Sequence, residues 1–233
     1  LLNHDDFIAE DRVRLSGRRL EHISTVHRAE PDTQLRVGLL NGKTGHGLIT
    51  QIDPDFIELT VVLSQPPPAK LPVTLLLALP RPKMLKRVMQ SVTSLGVKQI
   101  YLINTFRVEK SFWNSPLLQT DNLHEQLLLG LEQARDTILP EVHLRQRFKP
   151  FVEDILPGEI VQRQCVLAHP KLGDACHLLS QEKPVTFVVG PEGGFTPYEV
   201  NLLLSAGAKG CQLGARILKV ETALPVLLSA WLH

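Results

Sequence analysis

The pattern of hydrophobic positions changes at a proline-rich segment. Pro66, Pro67 and Pro68 are consecutive, and proline lacks the N–H that a helix or a central strand needs, so we expect an extended linker there. Before it, β-forming runs separated by Asn-Gly and Asp-Pro turns predict strands at 34–40, 47–52 and 56–63, and one helix is predicted at 18–28. The linker therefore predicts two domains, residues 1–68 and 69–233, of which the first is a small β-barrel or sandwich.

After the linker, continuous apolar runs alternate with helical periodicity. Such runs are typical of strands buried on both faces of a parallel sheet, and they lie at 73–79, 99–103, 161–168 and 185–189. Helices are predicted between them at 82–95 and 122–138. A short strand at 209–213 and a helix at 220–231 follow. This alternation predicts an α/β fold for the second domain.

Composition excludes several classes of protein. Apolar residues make up 43% of the 233 residues and charged residues 21%, as in folded globular proteins. No apolar run reaches the roughly 18 residues that a membrane helix needs, and the first residues lack a secretory pattern, so we expect neither a membrane span nor export. The cysteines, Cys165, Cys176 and Cys211, are isolated and odd in number, and no histidines are spaced as HxxxH. We therefore expect a reducing, cytoplasmic location and no metal site.

The net charge of +1 is unevenly distributed. Residues 81–149 carry 11 Lys or Arg against 6 Asp or Glu, whereas the segments 1–68 and 150–233 are both net acidic. The densest cluster lies on the helix predicted to begin at Pro82, and it comprises Arg81, Lys83, Lys86 and Arg87. This cluster is either a solvated helix face or a surface for nucleic-acid phosphates.

Three loops at the ends of predicted strands carry the candidate chemistry. The segment 190–194 reads Gly-Pro-Glu-Gly-Gly, and its glycines allow backbone N–H groups to approach a ligand closely. Thr196 and Glu199 then predict a helix start with a capping box. The other two loops are 168–170 and 213–218. Because ligands bind at the carboxyl edge of open α/β sheets, the loops predict a small-molecule site; a tight turn without a ligand is the alternative.

Two strings in this region resemble signatures of the SPOUT-class ribosomal RNA uridine N3 methyltransferases. They are FVVGPEGGFTPYEV, Phe187–Val200, and LGARILKVETALPVLL, Leu213–Leu228. Two further segments, 131–142 and 21–28, are similar to the family at single positions, namely Gln133, Arg135, Pro140, His22, Val26 and Arg28. The resemblance therefore spans almost the whole chain.

The resemblance implies a fold, a cofactor and partners. The fold would be a trefoil-knotted SPOUT methyltransferase domain preceded by a small PUA-like β-barrel domain that binds RNA. The cofactor would be S-adenosylmethionine, and the protein would be a homodimer acting on N3 of a uridine in 16S ribosomal RNA, taken as free RNA or as the assembled small subunit. The implied cofactor-binding residues are Ala168, His169, Pro170, Gly190, Pro191, Glu192, Gly193, Gly194, Leu213, Gly214, Ala215, Ile217 and Leu218.

Catalytic roles are expected for three side chains of these segments. Arg216 is a charge inside an apolar run and needs a partner; it would stabilise the negative charge on uracil oxygens when N3 loses its proton. Glu192 or Glu221 would accept that proton or orient the base, although a carboxylate near a helix start often binds only backbone N–H groups. The residues expected to contact RNA are Arg12, Arg14, Arg18, Arg19, Arg28, Arg81, Lys83, Lys86, Arg87 and Arg135.

Three positions depart from the family pattern and keep alternatives open. Ser94 stands where the family usually has glutamate, Ala215 replaces a proline, and Lys219 replaces an arginine, and lysine cannot bind phosphate bidentately. The alternatives are a non-catalytic RNA-binding protein of the same fold, a methyltransferase acting at another RNA site, and a small-molecule enzyme.

The last predicted helix offers an apolar face to a partner. Its side chains are Leu224, Leu227, Leu228 and Trp231. This face is expected to form the contact between two copies of the chain, and packing on its own sheet is the alternative.

Overall fold

The computed structural model describes residues 1–25, 30–176 and 183–232. The chain divides into two compact units. Unit 1 comprises Leu1–Pro68 and Leu131–Leu139, and unit 2 comprises Ala69–Gly130 and Pro140–His233. The predicted RNA contact Arg28 and the family position Val26 lie outside the described residues. Each unit is described by itself below.

Unit 1 contains a five-stranded antiparallel sheet with the order β1-β2-β5-β4-β3. Its strands are β1 (Phe7–Ala9), β2 (Arg12–Leu15), β3 (Gln34–Gly38), β4 (Thr44–Ile52) and β5 (Ile57–Gln65), and α1 is Arg18–Thr25. Val13, Ile49, Ile57 and Leu59 are fully buried in its core. In addition, Leu2 and Leu39 form an isolated parallel bridge that joins the segment before β1 to the segment after β3.

Strands β1 and β2 were not predicted because they have only three and four residues, and β2 is also charged. In β2, Val13 and Leu15 are buried while Arg12 and Arg14 are exposed. This alternation is normal for an antiparallel strand with one solvated face, but four residues are too few for the pattern to be distinctive.

The segment 131–139 belongs to unit 1, although it follows the predicted boundary by more than sixty residues. The Thr137 hydroxyl donates to the Gly42 carbonyl at 2.6 Å, and the Leu139 N–H donates to the Asn41 side chain at 2.9 Å. The Arg18 guanidinium also pairs with the Glu132 carboxylate at 3.0 Å. These partners are distant in sequence, so no local pattern in the segment could indicate them.

Unit 2 is built on a seven-stranded parallel sheet with the order β10-β12-β9-β11-β6-β7-β8. The strands are β6 (Val73–Ala78), β7 (Gln99–Ile103), β8 (Glu141–Arg145), β9 (Gln164–Ala168), β10 (Asp174–Ala175), β11 (Val185–Val189) and β12 (Lys209–Gln212). Every residue of β6 and β11 is buried, as continuous apolar runs predict for central strands. The predicted α/β fold with a parallel sheet is confirmed.

The helices predicted at 82–95 and 220–231 begin at the predicted residues and end one or two residues early. The helices after β6 are α2 (Pro82–Ser94), α3 (Thr120–Ala134), α4 (Phe148–Pro150), α5 (Leu156–Glu159), α6 (Pro197–Ser205) and α7 (Val220–Ser229), with a π-helical turn at Phe151–Ile155. The helix predicted to reach residue 138 ends at Ala134, because Arg135 has a left-handed φ of 57°. Strand β9 begins at Gln164 rather than at residue 161, since Val161 is 78% exposed in a turn.

The apolar face of α7 packs within unit 2, so the prediction that it forms a contact between copies is wrong. Leu224, Leu227 and Leu228 are at most 2% exposed and Trp231 is 5% exposed. The Trp231 ring packs edge-on against Phe187 with centroids 5.2 Å apart, and the helix packs against α2. A side chain already buried in its own core has no surface to offer a partner.

The prediction of isolated cysteines is wrong for two of the three. Cys176 and Cys211 form a disulfide across 35 residues, because parallel pairing of β10 with β12 sets Ala175 opposite Gln212 and brings the cysteines together. Cys165 is free and buried, and burial raises the pKa of its thiol to about 12. Such a thiol is uncharged at neutral pH and is not a nucleophile.

Candidate active site

Three neighbouring strands end at the same level of the sheet in unit 2. In the register of the sheet, Ala168 at the end of β9 lies opposite both Val189 of β11 and Cys211 of β12. The loops 168–170, 190–194 and 213–218 therefore begin side by side at the carboxyl edge. The structure thus brings the three sequence-predicted loops to one edge, which is where open α/β sheets bind ligands.

The Gly190–Gly194 loop is a tight turn that needs its glycines for different reasons. The Gly194 N–H donates to the Pro191 carbonyl at 2.7 Å, and Gly194 has a left-handed φ of 73°. A Cβ at Gly190 would lie 3.0 Å from the Phe195 ring, and one at Gly193 would lie 3.1 Å from Cδ of Arg107. The left-handed φ favours glycine at Gly194, whereas a side chain at Gly190 or Gly193 would press on a neighbouring side chain.

The predicted capping box at the start of α6 is present. The Thr196 hydroxyl accepts from the Glu199 N–H at 3.3 Å, and the Glu199 carboxylate accepts from the Thr196 N–H at 2.8 Å. Glu199 is only 3% exposed, and its second oxygen accepts from the Phe106 N–H at 2.7 Å. This carboxylate therefore holds together the start of α6 and a loop 93 residues away in sequence.

The loop that follows β7 is a fourth component of this edge, which the sequence analysis did not assign. The Asn104 side chain accepts from the Trp113 indole N–H at 2.8 Å. Further along, the Arg107 guanidinium donates to the Gly193 carbonyl, and the Phe106 ring is 83% exposed. The loop follows a correctly predicted strand, so the rule that selected the other loops would have found it too.

The His169 ring is held in its neutral form. Its Nδ1 accepts from the Lys171 backbone N–H at 3.2 Å, and the backbone N–H of His169 donates to the Cys211 carbonyl at 2.8 Å. Burial, and then the charge of Lys171, lower the pKa of His169. The loop after β9 therefore adds a neutral aromatic side chain to the edge at neutral pH.

The three side chains expected to be catalytic differ in exposure. Glu192 and Arg216 are exposed, and Glu221 is half-buried in the first turn of α7. The expectation that Arg216 needs a partner because it lies among apolar neighbours is wrong, since the loop is in solvent and the adjacent Ile217 is 82% exposed. In the part of the chain that the structure describes, none of the three forms a hydrogen bond or an ion pair, so all three are available to a ligand.

A family model described as an RNA methyltransferase domain matches residues 67–232 of the chain. The chain belongs to the RNA methyltransferase domain family. This membership confirms the family resemblance found in the sequence, and the match includes all the loops at the carboxyl edge.

Curated relatives of this family member carry the name ribosomal RNA small subunit methyltransferase E. The protein of Treponema pallidum is 28% identical over 209 residues, which are 88% of this chain and 79% of the relative. The protein of Synechocystis is 26% identical over 224 residues, which are 95% of this chain and 73% of the relative.

Solved structures share the fold of this RNA methyltransferase family member. A ribosomal RNA small subunit methyltransferase E from Neisseria gonorrhoeae, bound to S-adenosyl methionine, superposes with a TM-score of 0.78 at 19% identity, over 98% of this chain and 94% of that one. A Legionella pneumophila protein in complex with the same cofactor gives 0.74 at 24% identity, over 94% and 90%. At these identities the similarity establishes the fold.

The basic side chains at the start of α2 are exposed to solvent and accessible to phosphates. Arg81, Lys83, Lys86 and Arg87, hereafter the α2 cluster, are all exposed, and they form no ion pair with the described residues. The first turn of α2 contains no acidic residue. Positive charges at a helix N-terminus are unfavourable by about 0.3–1 kcal/mol each. An anionic partner would relieve this repulsion.

Four arginines of unit 1 are paired with carboxylates. The Arg12 and Arg14 guanidiniums each lie 2.7 Å from the Glu58 carboxylate, which is 5% exposed. The two hydrogen bonds, that of Arg14 first, hold the pKa of Glu58 below its usual range. The other two pairs are Arg18 with Glu132 and Arg19 with Asp6. An RNA phosphate would have to compete with these carboxylates.

The remaining expected RNA contact, Arg135, is exposed directly after α3.

No helix in the described part of the chain is long and apolar enough to cross a membrane. Among residues 1–25, 30–176 and 183–232, no group of three His, Cys, Asp or Glu side chains is arranged to hold a metal ion.

Proposed function

We propose that the protein is an S-adenosylmethionine-dependent methyltransferase that modifies N3 of a uridine in 16S ribosomal RNA. The observation that carries the proposal is the register of β9, β11 and β12, which aligns three loops at one edge of the sheet. Family membership and the names of the relatives support the reaction class and the RNA. The cofactor bound to a protein of the same fold supports the choice of methyl donor.

The residues at the carboxyl edge fit this cofactor. Gly193 is exposed, and a Cβ at Gly214 would meet no heavy atom within 4 Å, so backbone groups of both loops are open to a ligand. Half-buried Leu213 and Leu218 supply apolar surface beside them. We assign cofactor binding to the three loops predicted from the sequence. When bound, S-adenosylmethionine supplies a methyl group attached to a sulfonium sulfur. This sulfur is a good leaving group.

The protein must then present and deprotonate the acceptor. Uracil N3 carries a hydrogen on the Watson–Crick edge, so the base has to be unpaired or flipped out of a helix. Glu192 or Glu221 takes the N3 proton on a carboxylate oxygen or orients the ring, and Arg216 stabilises the charge that develops on the flanking carbonyl oxygens. The exposure of Glu192 and Arg216 supports these roles because neither side chain is committed to the protein.

The proposal also covers the domains, the oligomeric state and the location of the protein. Residues 1–68 would form a PUA-like barrel that binds RNA, and the bridge from Leu2 to Leu39 supports closure of its sheet. Residues 69–233 would form the knotted methyltransferase domain. A homodimer rests on the family resemblance alone, since the face of α7 is buried. We also propose a cytoplasmic location, since ribosomal RNA is the proposed substrate.

One assay tests the reaction and its position. The purified protein is incubated with S-adenosylmethionine and either small-subunit ribosomal RNA or assembled small subunits, and the digested RNA is analysed by mass spectrometry against N3-methyluridine. We expect N3-methyluridine at a single site. Methylation on a carbon or on a ribose oxygen would refute the N3 assignment, and cofactor binding without any transfer would favour the non-catalytic alternative.

A further inference from the structure

The loop after β7 combines a fixed backbone with an exposed aromatic ring. The main chain of Phe106 is bound by the buried Glu199 carboxylate at 2.7 Å, and the next residue, Arg107, is bound to the Gly193 carbonyl. The Phe106 ring is nevertheless 83% exposed. Exposure of so large an apolar side chain to water is unfavourable. A ring that is rigidly positioned and still exposed is suited to a ligand that covers it.

The position of the ring limits what that ligand is. Arg107 lies directly against Gly193 of the proposed cofactor loop, since a Cβ there would meet the Arg107 side chain. The ring is therefore one residue from a contact with the loop that would hold the methyl donor. Arg107 is itself exposed, so a basic side chain follows Phe106 directly in the sequence. An exposed aromatic ring beside a cation is the usual surface on which single-stranded nucleic acids stack their bases.

We propose that Phe106 is a stacking platform for an unpaired base of the RNA substrate. The proposal rests on the proposed function in taking RNA as the substrate. A base taken out of a helix loses its stacking neighbours, and the Phe106 ring replaces one of them beside the reaction site. Because the Glu199 carboxylate fixes the backbone beforehand, little conformational entropy is lost when the base binds.

Binding of single-stranded oligouridine, measured by fluorescence anisotropy, tests the proposal in the full-length protein. Phe106→Ala is expected to weaken binding about tenfold, the size of one base stacking on an aromatic ring. Phe106→Trp is expected to retain wild-type affinity. The control is Val161→Ala, which removes another exposed apolar side chain in the turn before β9 and is expected to change nothing. Affinity for S-adenosylmethionine, measured by calorimetry, should be the same in all four proteins and shows that they are folded.

Methylation kinetics separate this proposal from the proposed function. With ribosomal RNA, Phe106→Ala should raise KM about tenfold and leave kcat nearly unchanged, as loss of uniform substrate binding does. If the wild-type protein transfers no methyl group, the proposed function is contradicted. The oligouridine binding of the wild type and the Phe106 variants still tests the stacking role in that case. Three results would overturn the stacking role: unchanged oligouridine binding in Phe106→Ala, equal weakening in Phe106→Trp, or conversion of a dimer to a monomer by Phe106→Ala in sedimentation.

Discussion

At the scale of single residues, Arg216 illustrates how exposure changes an argument made from sequence. Its apolar neighbours suggested a buried charge, whereas the structure places it in an exposed loop after β12. Among the described residues, this exposed guanidinium has no protein partner. Its role in the reaction stays a prediction, and removal of the side chain should leave the fold intact.

Arg216→Ala is therefore expected to lower the rate of methyl transfer about 100-fold, the usual contribution of one oxyanion donor. Affinity for S-adenosylmethionine should be nearly unchanged, since the side chain would act on the uracil oxygens. Single-turnover assays on ribosomal RNA measure the rate. Lys209→Ala is the control, because Lys209 is exposed at the opposite end of the same strand. A wild-type rate in Arg216→Ala would remove this residue from the mechanism.

Gly193 tests the cofactor loop in the same way. A β-branched side chain at this position would press on Arg107 and would block the close approach of a ligand to the backbone. We expect Gly193→Val to abolish binding of S-adenosylmethionine in calorimetry without changing the circular dichroism spectrum. Gly158→Val is the matched control, since a Cβ at Gly158 has open space around it. Unchanged affinity in Gly193→Val would place the cofactor elsewhere.

At the scale of elements, the sequence predicted what depends on local pattern. Strands β7 and β11 were predicted to the residue, because each is a mostly apolar run. The capping box of Thr196 and Glu199 was predicted as well. Strand β8 was not, because Glu141, His143 and Arg145 alternate with only two apolar residues at the edge of the sheet.

What the sequence could not predict depends on contacts between distant residues. The bond from the Phe106 N–H to the Glu199 carboxylate and the disulfide between Cys176 and Cys211 both require the strand order, which no local pattern contains. The three predicted loops could be placed together because parallel strands share one carboxyl edge. The identity of the cofactor came from the family resemblance and not from the loops' composition.

The pairing of β2 with β5 leads to a pH prediction for unit 1. Arg14 and Arg12 lower the pKa of Glu58, so the ionised carboxylate is favoured in the folded state. The stabilisation is then complete above the ordinary pKa of a glutamate and is lost as the pH falls through the lowered pKa of the folded protein. Glu58→Gln should accordingly unfold at a lower urea concentration than the wild type at neutral pH, and this difference should disappear as the pH falls below the lowered pKa of Glu58.

Urea unfolding of Glu58→Gln across the acid range measures this effect. Glu141→Gln is the control, since Glu141 is largely exposed and lies 3.7 Å from His143, and exposed pairs contribute little to stability. A difference between Glu58→Gln and the wild type that stays constant down to the lowest pH would show that the two arginines do not stabilise the ionised carboxylate.

At the scale of the whole molecule, the two basic surfaces are not equivalent. The α2 cluster has no carboxylate partner among the described residues, whereas Arg12, Arg14, Arg18 and Arg19 of unit 1 are each paired with one. An unpaired basic side chain binds a phosphate without breaking an existing ion pair. A paired arginine has to share or exchange its partner, so its net contribution to RNA binding is smaller.

The dependence of RNA affinity on salt measures this difference. Replacing all four residues of the α2 cluster by glutamine should reduce the slope of log K against log salt concentration by up to about 3, since each phosphate contact on a single strand contributes about 0.7. The same replacement of the four unit 1 arginines should reduce the slope by clearly less, and it should lower stability because Glu58, Glu132 and Asp6 lose their partners. Oligouridine titrations between low and physiological salt give both slopes, and calorimetry with S-adenosylmethionine checks that each variant is folded. Equal reductions in the two variants would mean that the ion pairs of unit 1 open at no cost when RNA binds, and a reduction confined to unit 1 would mean that the α2 cluster is only a solvated helix face.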